Sequence, residues 1–230
     1  MLLAIDTATR ALSLALHDGS DVYAEYTWQT ESRHTVELVP AIHNVLRQVR
    51  LTPQDLTHLA VAQGPGSFNG LRVGFSVAQS FAFSLNVPLI AVPTLDITAA
   101  AQPPLTEDLI AFAQAGRGRL CAAAYRWQAD QGWQVQGETR IDSPAALFAA
   151  FSAPHTPTRL AGEVDNTVRE AVHQLNTEAD RQLHLTAPAL ALRRATFLAE
   201  LAWARFRSGE RGDPLRAVPF YLHQPGVPHP

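Results

Sequence analysis

Three short β-prone runs precede the first helical segment, and this order constrains the fold more than any other feature of the chain. Residues 2–5 (LLAI) form an apolar run too short for a helix, and residues 11–17 (ALSLALH) alternate before the turn pair Asp18-Gly19. Residues 21–28 are β-prone again, so the opening predicts three antiparallel strands. From Ser32 to about Arg50, Val36, Val39, Ile42, Leu46 and Val49 recur at helical spacing, with Pro40 expected to kink the helix. A buried strand at 58–63 (HLAVAQ) follows, then a glycine-rich loop and a second helix over about 71–85. A strand at 88–92 and a helix capped by Thr94 complete the series.

Gln102-Pro103-Pro104-Leu105-Thr106 interrupts the pattern, because consecutive prolines continue neither a helix nor a central strand. A second half then opens the same way, with strands at 109–116, 119–127 and 133–141 and a turn at Asp130-Gln131-Gly132. Ser143-Pro144 reads as N-cap and first helical residue, 188–208 as a long amphipathic helix, and 217–222 (AVPFYL) as a terminal strand. The order βββαβαβα, begun twice, predicts an α/β protein of two ribonuclease-H-like lobes. The first spans residues 1–102 and the second, which is degenerate, residues 107–230. The tail Gln224–Pro230 is expected to be mobile.

Composition excludes several chemistries. All eighteen basic residues are arginine, so no mechanism here uses a lysine: no Walker-A phosphate loop, no kinase strand lysine, no Schiff base. A lone cysteine, Cys121, excludes thiolate zinc sites and iron–sulfur clusters. A net charge of −3 gives no general attraction to nucleic acid. The opening MLLAIDTATR does not read as a signal peptide, and no run approaches the ~20 apolar residues of a membrane span, so no membrane partner is expected and the cytoplasm is the default location.

Two places carry candidate chemistry. Asp6-Thr7 ends the first strand, where an open α/β sheet places its ligand crevice; the carboxylate would hold a magnesium water there, or would only organise the turn as an Asx motif. Gly64-Pro65-Gly66-Ser67-Phe68-Asn69-Gly70 lies between a buried strand and a helix, so its N–H groups would cradle a phosphate, or its glycines would only permit a tight turn. Asp6, Thr7, Gly64, Gly66, Ser67 and Gly70 are therefore the candidate phosphate or nucleotide-binding residues. Lacking a lysine, the loop is not a Walker A, and its spacing is not that of a nucleophile elbow.

AIDTAT at 4–9, the helix bearing His34 and GPGSFNGLRVG at 64–74 resemble the bacterial TsaB family, also called YeaZ. The likeness is strong over about 1–100 and thin beyond. The family loop usually reads GPGSFTGLR, with Asn69 here in place of Thr, and the closing YLH (221–223) is an altered echo of YLR. The resemblance implies a two-lobed, actin-like (ASKHA) fold and a non-catalytic dimerisation subunit. Its implied partner is TsaD, which transfers threonylcarbamoyl to the tRNA adenosine next to the anticodon. It further implies TsaE and TsaC in the same pathway, a homodimer when alone, and tRNA contact only through the complex. It implies no cofactor required by this chain, with ATP or ADP and magnesium at the partner complex.

The residues bear on that role directly. Aligning the two halves sets Asp6 against Gln114, which cannot supply a second negative charge for a metal. No two of the nine histidines lie one helical turn apart, so no TsaD-like metal pair is expected, and His34 reads as a helix-entry or interface residue. The second helix carries a single charge, Arg72, with apolar residues all round its wheel. Either its own lobe buries both faces, or another chain covers one of them. The second explanation makes Leu38, Ile42 and Val45 of the first helix, with Val73, Val77, Ala78, Phe81 and Ala82 of the second, the candidate partner interface. Arginines 193, 194, 205, 207, 211 and 216 read as a solvated helix face in preference to a tRNA contact. The alternative function is an actin-like ATP-dependent phosphotransferase using Asp6 and the Gly64–Gly70 loop; a nucleotide-holding but inactive module is a third reading.

Overall fold

The computed structural model describes residues 1–30 and 33–221. Ser32, the expected strand's last residue 222, His223 and the tail 224–230 lie outside the described residues. The first half contains β1 (Leu2–Asp6), β2 (Ala11–His17), β3 (Val22–Gln29), α1 (His34–Gln48), β4 (His58–Ala62), α2 (Phe68–Leu85), β5 (Leu89–Val92) and α3 (Thr94–Ala100). The second contains β6 (Asp108–Gly116), β7 (Arg119–Gln128), β8 (Gly132–Asp142), α4 (Pro144–Phe151), β9 (Pro157–Gly162), α5 (Asn166–Glu178) and β10 (Gln182–Leu185). Helices α6 (Pro188–Ala191) and α7 (Ala195–Arg207) follow.

The expected duplication is present. The first sheet runs β3-β2-β1-β4-β5 and the second β8-β7-β6-β9-β10, each with an antiparallel meander followed by two parallel strands. Alternation along β1 sends Leu3 and Ile5 toward α1 and α2, and Leu2 and Ala4 to the opposite face. That opposite face is built of Ala4, Ala15, Ala60 and Ala62, and α7 lies on it with Ala195, Ala199 and Ala202. Small residues on both sides let helix and sheet approach closely.

Both covering helices come from outside the expected lobe boundaries, which corrects the division at 1–102 and 107–230. Helix α3 buries Leu95 and Ala99 against Leu109, Ala111 and Cys121 of the second sheet. Helix α7 returns across the chain to the first. The break around residues 103–107 is the connection between α3 and β6, as expected, but each sheet borrows one layer from the other half. Burial pushes the Cys121 thiol up to about 12.

Three local expectations also change. The helix expected over 188–208 is two helices, separated by extended backbone at Leu192 and Arg194. Thr94 is the first residue of α3, not its N-cap, which is Pro93; its hydroxyl instead accepts the Gly64 N–H at 3.0 Å. Residues 217–221 form no strand, and only Phe220 N–H reaches a strand-end carbonyl, that of Gln63, at 2.8 Å. Pro219 has no N–H to continue a ladder. Ser143 caps α4 as expected, accepting from Ala146 N–H with Pro144 first in the helix.

Candidate functional site

Position Asp6 ends β1 with its side chain buried, and both carboxylate oxygens are engaged. Oδ1 accepts the Ala8 N–H at 2.9 Å, closing an Asx turn, and Oδ2 accepts from Arg193 Nε at 3.0 Å. The two side chains are 2% and 3% exposed, so this is a desolvated ion pair. Arg193 Nη2 also donates to Thr9 Oγ1 at 2.7 Å, while His34 Nε2 lies 2.9 Å from the Thr9 carbonyl at the entry of α1. Arg193 therefore does not belong to a solvated helix face. It sits in the extended step between α6 and α7 and pins that step to the first turn.

The glycine loop closes onto the same turn. Thr7 hydroxyl donates to the Gly70 carbonyl at 2.8 Å, and Ser67 N–H donates to the Ala8 carbonyl at 2.6 Å. Ser67 Oγ caps α2 by accepting from Gly70 N–H. A Cβ on Gly66 would lie 2.1 Å from the Ala8 carbonyl oxygen, one on Gly70 2.1 Å from that of Thr7, and one on Gly74 2.2 Å from Thr7 Oγ1. The glycines are needed because α2 and the loop before it lie directly against the turn that follows β1. Gly64, Ser67 and Gly70 spend their N–H groups inside the chain, so they do not form the expected phosphate cradle.

In front of this seam lies an interlobe cleft of about 650 Å³. Gly66 and Ser67 line it from the first lobe with Arg10 and Phe68; Gln114, Glu163 and Asp165 line it from the second. Phe68 packs against Tyr221 with the rings tilted and their centres 4.9 Å apart, and the Arg72 guanidinium stands 5.3 Å from the Phe68 ring centre. Gln114 donates to Asp165 Oδ2 at 3.1 Å, and Asp165 Oδ1 caps α5 by accepting from Val168 N–H. A magnesium nucleotide does not fit this donor set. The first-turn carboxylate is already neutralised, the second is an amide, and Glu163, which has no partner among the described residues, would repel phosphate. Among the described residues no three His, Cys, Asp or Glu side chains cluster to hold a metal.

The helical face differs from expectation residue by residue. Leu38, Ile42 and Val45 are fully buried in their own lobe, as are Ala78 and Ala82, so these five are core and not partner interface. The exposed large apolar side chains of α1 are Val36 at 61% and Val39 at 39% exposure. Helix α2 has three stripes: buried Leu71, Phe75, Ala78 and Ala82; half-buried Val73, Val77 and Phe81; and exposed Arg72, Ser76, Ser80 and Ser84. Phe83, 54% exposed, stands beside the last of these. The helix is thus less uniformly apolar at its surface than its lack of charge suggested, because serine carries the outer face. Besides those five, Val36, Val39, Phe83 and Arg193 are residues that sequence reasoning misplaced or passed over. The Arg193-Arg194 doublet, which interrupts an apolar pattern, was the available signal for the last.

Two sheets of identical strand order flanking a cleft define an actin-like (ASKHA), two-lobed protein. The chain belongs to the TsaB (YeaZ) family. The family described as "TsaD: tRNA N6-adenosine threonylcarbamoyltransferase" matches residues 28–226. The tRNA threonylcarbamoyladenosine biosynthesis protein TsaB of Bacillus subtilis is 35% identical over 127 residues, 55% of this chain and 56% of that protein. The chain thus spans about half the length of that relative. The Haemophilus influenzae protein of the same name is 27% identical over 96% of this chain and 92% of its own. YeaZ from Pseudomonas aeruginosa superposes with a TM-score of 0.76 at 25% identity, covering 96% of this chain and 99% of that one.

Proposed function

We propose that this chain is a non-catalytic dimerisation subunit that pairs with TsaD in the synthesis of threonylcarbamoyladenosine on tRNA, next to the anticodon. The observation that carries the reading is the fate of Asp6. The one carboxylate placed where an actin-like enzyme would hold its metal has both oxygens committed, to Ala8 N–H and to Arg193. This also weighs against the phosphotransferase reading.

Docking falls to α1 and α2, where Val36, Val39 and Phe83 are exposed beside half-buried Val73, Val77 and Phe81. On this reading the chain needs no cofactor of its own, and ATP or ADP with magnesium serves the partner complex. TsaE and TsaC act in the same pathway, the isolated chain pairs with itself through the same helices, and tRNA is met only through the complex. The setting is the cytoplasm; no helix among the described residues is long and apolar enough to cross a membrane. Mixing the purified chain with TsaD and weighing the product by native mass spectrometry tests the reading. A one-to-one complex is expected, and its persistent absence would remove the proposal.

A further inference from the structure

A second cavity, of about 380 Å³, opens on the other side of the strip formed by Thr9-Arg10 and Glu163-Val164, which lines both spaces. Its volume is at the small end of ligand sites, roughly 300–1,000 Å³. The β1–β2 turn contributes Arg10, the first turn of α5 contributes Arg169, and the chain after β9 contributes Glu163. Among the described residues none of these three side chains takes part in a hydrogen bond or ion pair within the chain. Arg193, 4% exposed, forms part of the wall, but Asp6 already matches its charge. Leu185 and Leu192 supply an apolar side.

We propose that this cavity binds a small organic carboxylate bearing an N–H beside its acid group and a short aliphatic body, the chemistry shared by free and N-carbamoylated α-amino acids. The charge arrangement selects it. Among the described residues, two unengaged guanidiniums against one carboxylate leave a surplus positive charge, and a guanidinium fork matches a carboxylate in two parallel hydrogen bonds. Glu163, an acceptor only, requires a donor from the ligand. Phosphate brings no donor other than its acidic proton and would meet that carboxylate with like charge, so the same geometry disfavours it. Leu185 and Leu192 favour a carbon side chain over a bare anion.

The threonine side chain of the probes rests on the role proposed above, whereas the site chemistry does not. The test uses the full chain without TsaD, so the two readings fail separately. Isothermal titration calorimetry is run with L-threonine, N-carbamoyl-L-threonine and inorganic phosphate. Saturable binding of either amino-acid probe is expected, weakened about tenfold or more by Arg10→Ala and by Arg169→Ala, the loss of one good charge-assisted contact. Neither variant removes a contact that holds the fold, and circular dichroism of each checks this. Preference between the two probes identifies the free or the carbamoylated form as the occupant. Absence of binding by both, binding that survives both arginine substitutions, or phosphate binding as tightly as the better probe would overturn the proposal.

Discussion

The two sheets share a strand order but end differently where their first hairpins meet the cleft. In the first, Asp6 is buried, turned onto Ala8 and clamped by Arg193 from 187 residues away. In the second, Gln114 takes the equivalent place and holds Asp165, while Gly116, Arg117 and Gly118 form an open turn at positive φ. A Cβ on Gly116 or Gly118 would meet nothing within 4 Å, whereas one on Gly66 or Gly70 would meet backbone at 2.1 Å. The two turns therefore present no pair of free facing carboxylates: one place holds an amide, and the acid at the other is occupied. At the first turn the acid is a clamp that holds the α6–α7 step to the sheet that α7 covers.

The largest effect should come from the helix that joins this turn. Ala82→Arg places an unpaired charge at a position 1% exposed, and should lower unfolding free energy by about 4 kcal/mol or more in urea titration. If the variant keeps wild-type stability, the division between buried and outward faces of α2 is wrong. Next is the clamp. Arg193→Ala strands the buried Asp6 and should cost about 3–5 kcal/mol, while Asp6→Asn with Arg193→Met should recover most of it, as replacing both partners of a buried pair often does. Equal losses in the single and double variants would break the contrast drawn between the two turns.

Smaller changes sharpen it. Gly74→Ala sets a methyl 2.2 Å from Thr7 Oγ1 and should cost about 1–3 kcal/mol by forcing α2 off β1. Gly118→Ala meets no neighbour and pays only for positive φ, about 1 kcal/mol. Thermal unfolding of the two side by side separates close approach from backbone strain. Val39→Arg, on the outward face of α1, should change stability by no more than about 0.5 kcal/mol.

What the sequence disclosed follows from how local each signal is. The meander, the repeated order and the Ser143-Pro144 cap rest on neighbouring residues, and the structure places them within a few positions of expectation. Sequence also offered the tight-turn explanation of the glycine loop, but could not choose it, because the deciding contacts are with Thr7 and Ala8, some sixty residues earlier. On α1 apolar residues occupy two adjacent stripes, and periodicity alone put Val36 and Val39 inward and Leu38 and Val45 outward; burial is the reverse. Ala78 and Ala82 read as surface or core with equal ease, since alanine marks close packing only once its neighbour is known. The Asp6–Arg193 pair and the return of α7 to the first sheet span most of the chain, and no local pattern encodes them.

The measurement that tests the account most directly is threonylcarbamoyladenosine formation on tRNA by TsaD and its pathway partners, supplied with three forms of this chain. Wild type and the Asp6→Asn, Arg193→Met double variant should both support product formation, and Val39→Arg, folded but unable to dock, should support little or none. Product lost with the double variant while circular dichroism shows it folded, and retained with Val39→Arg, would contradict the account and return Asp6 to the chemistry.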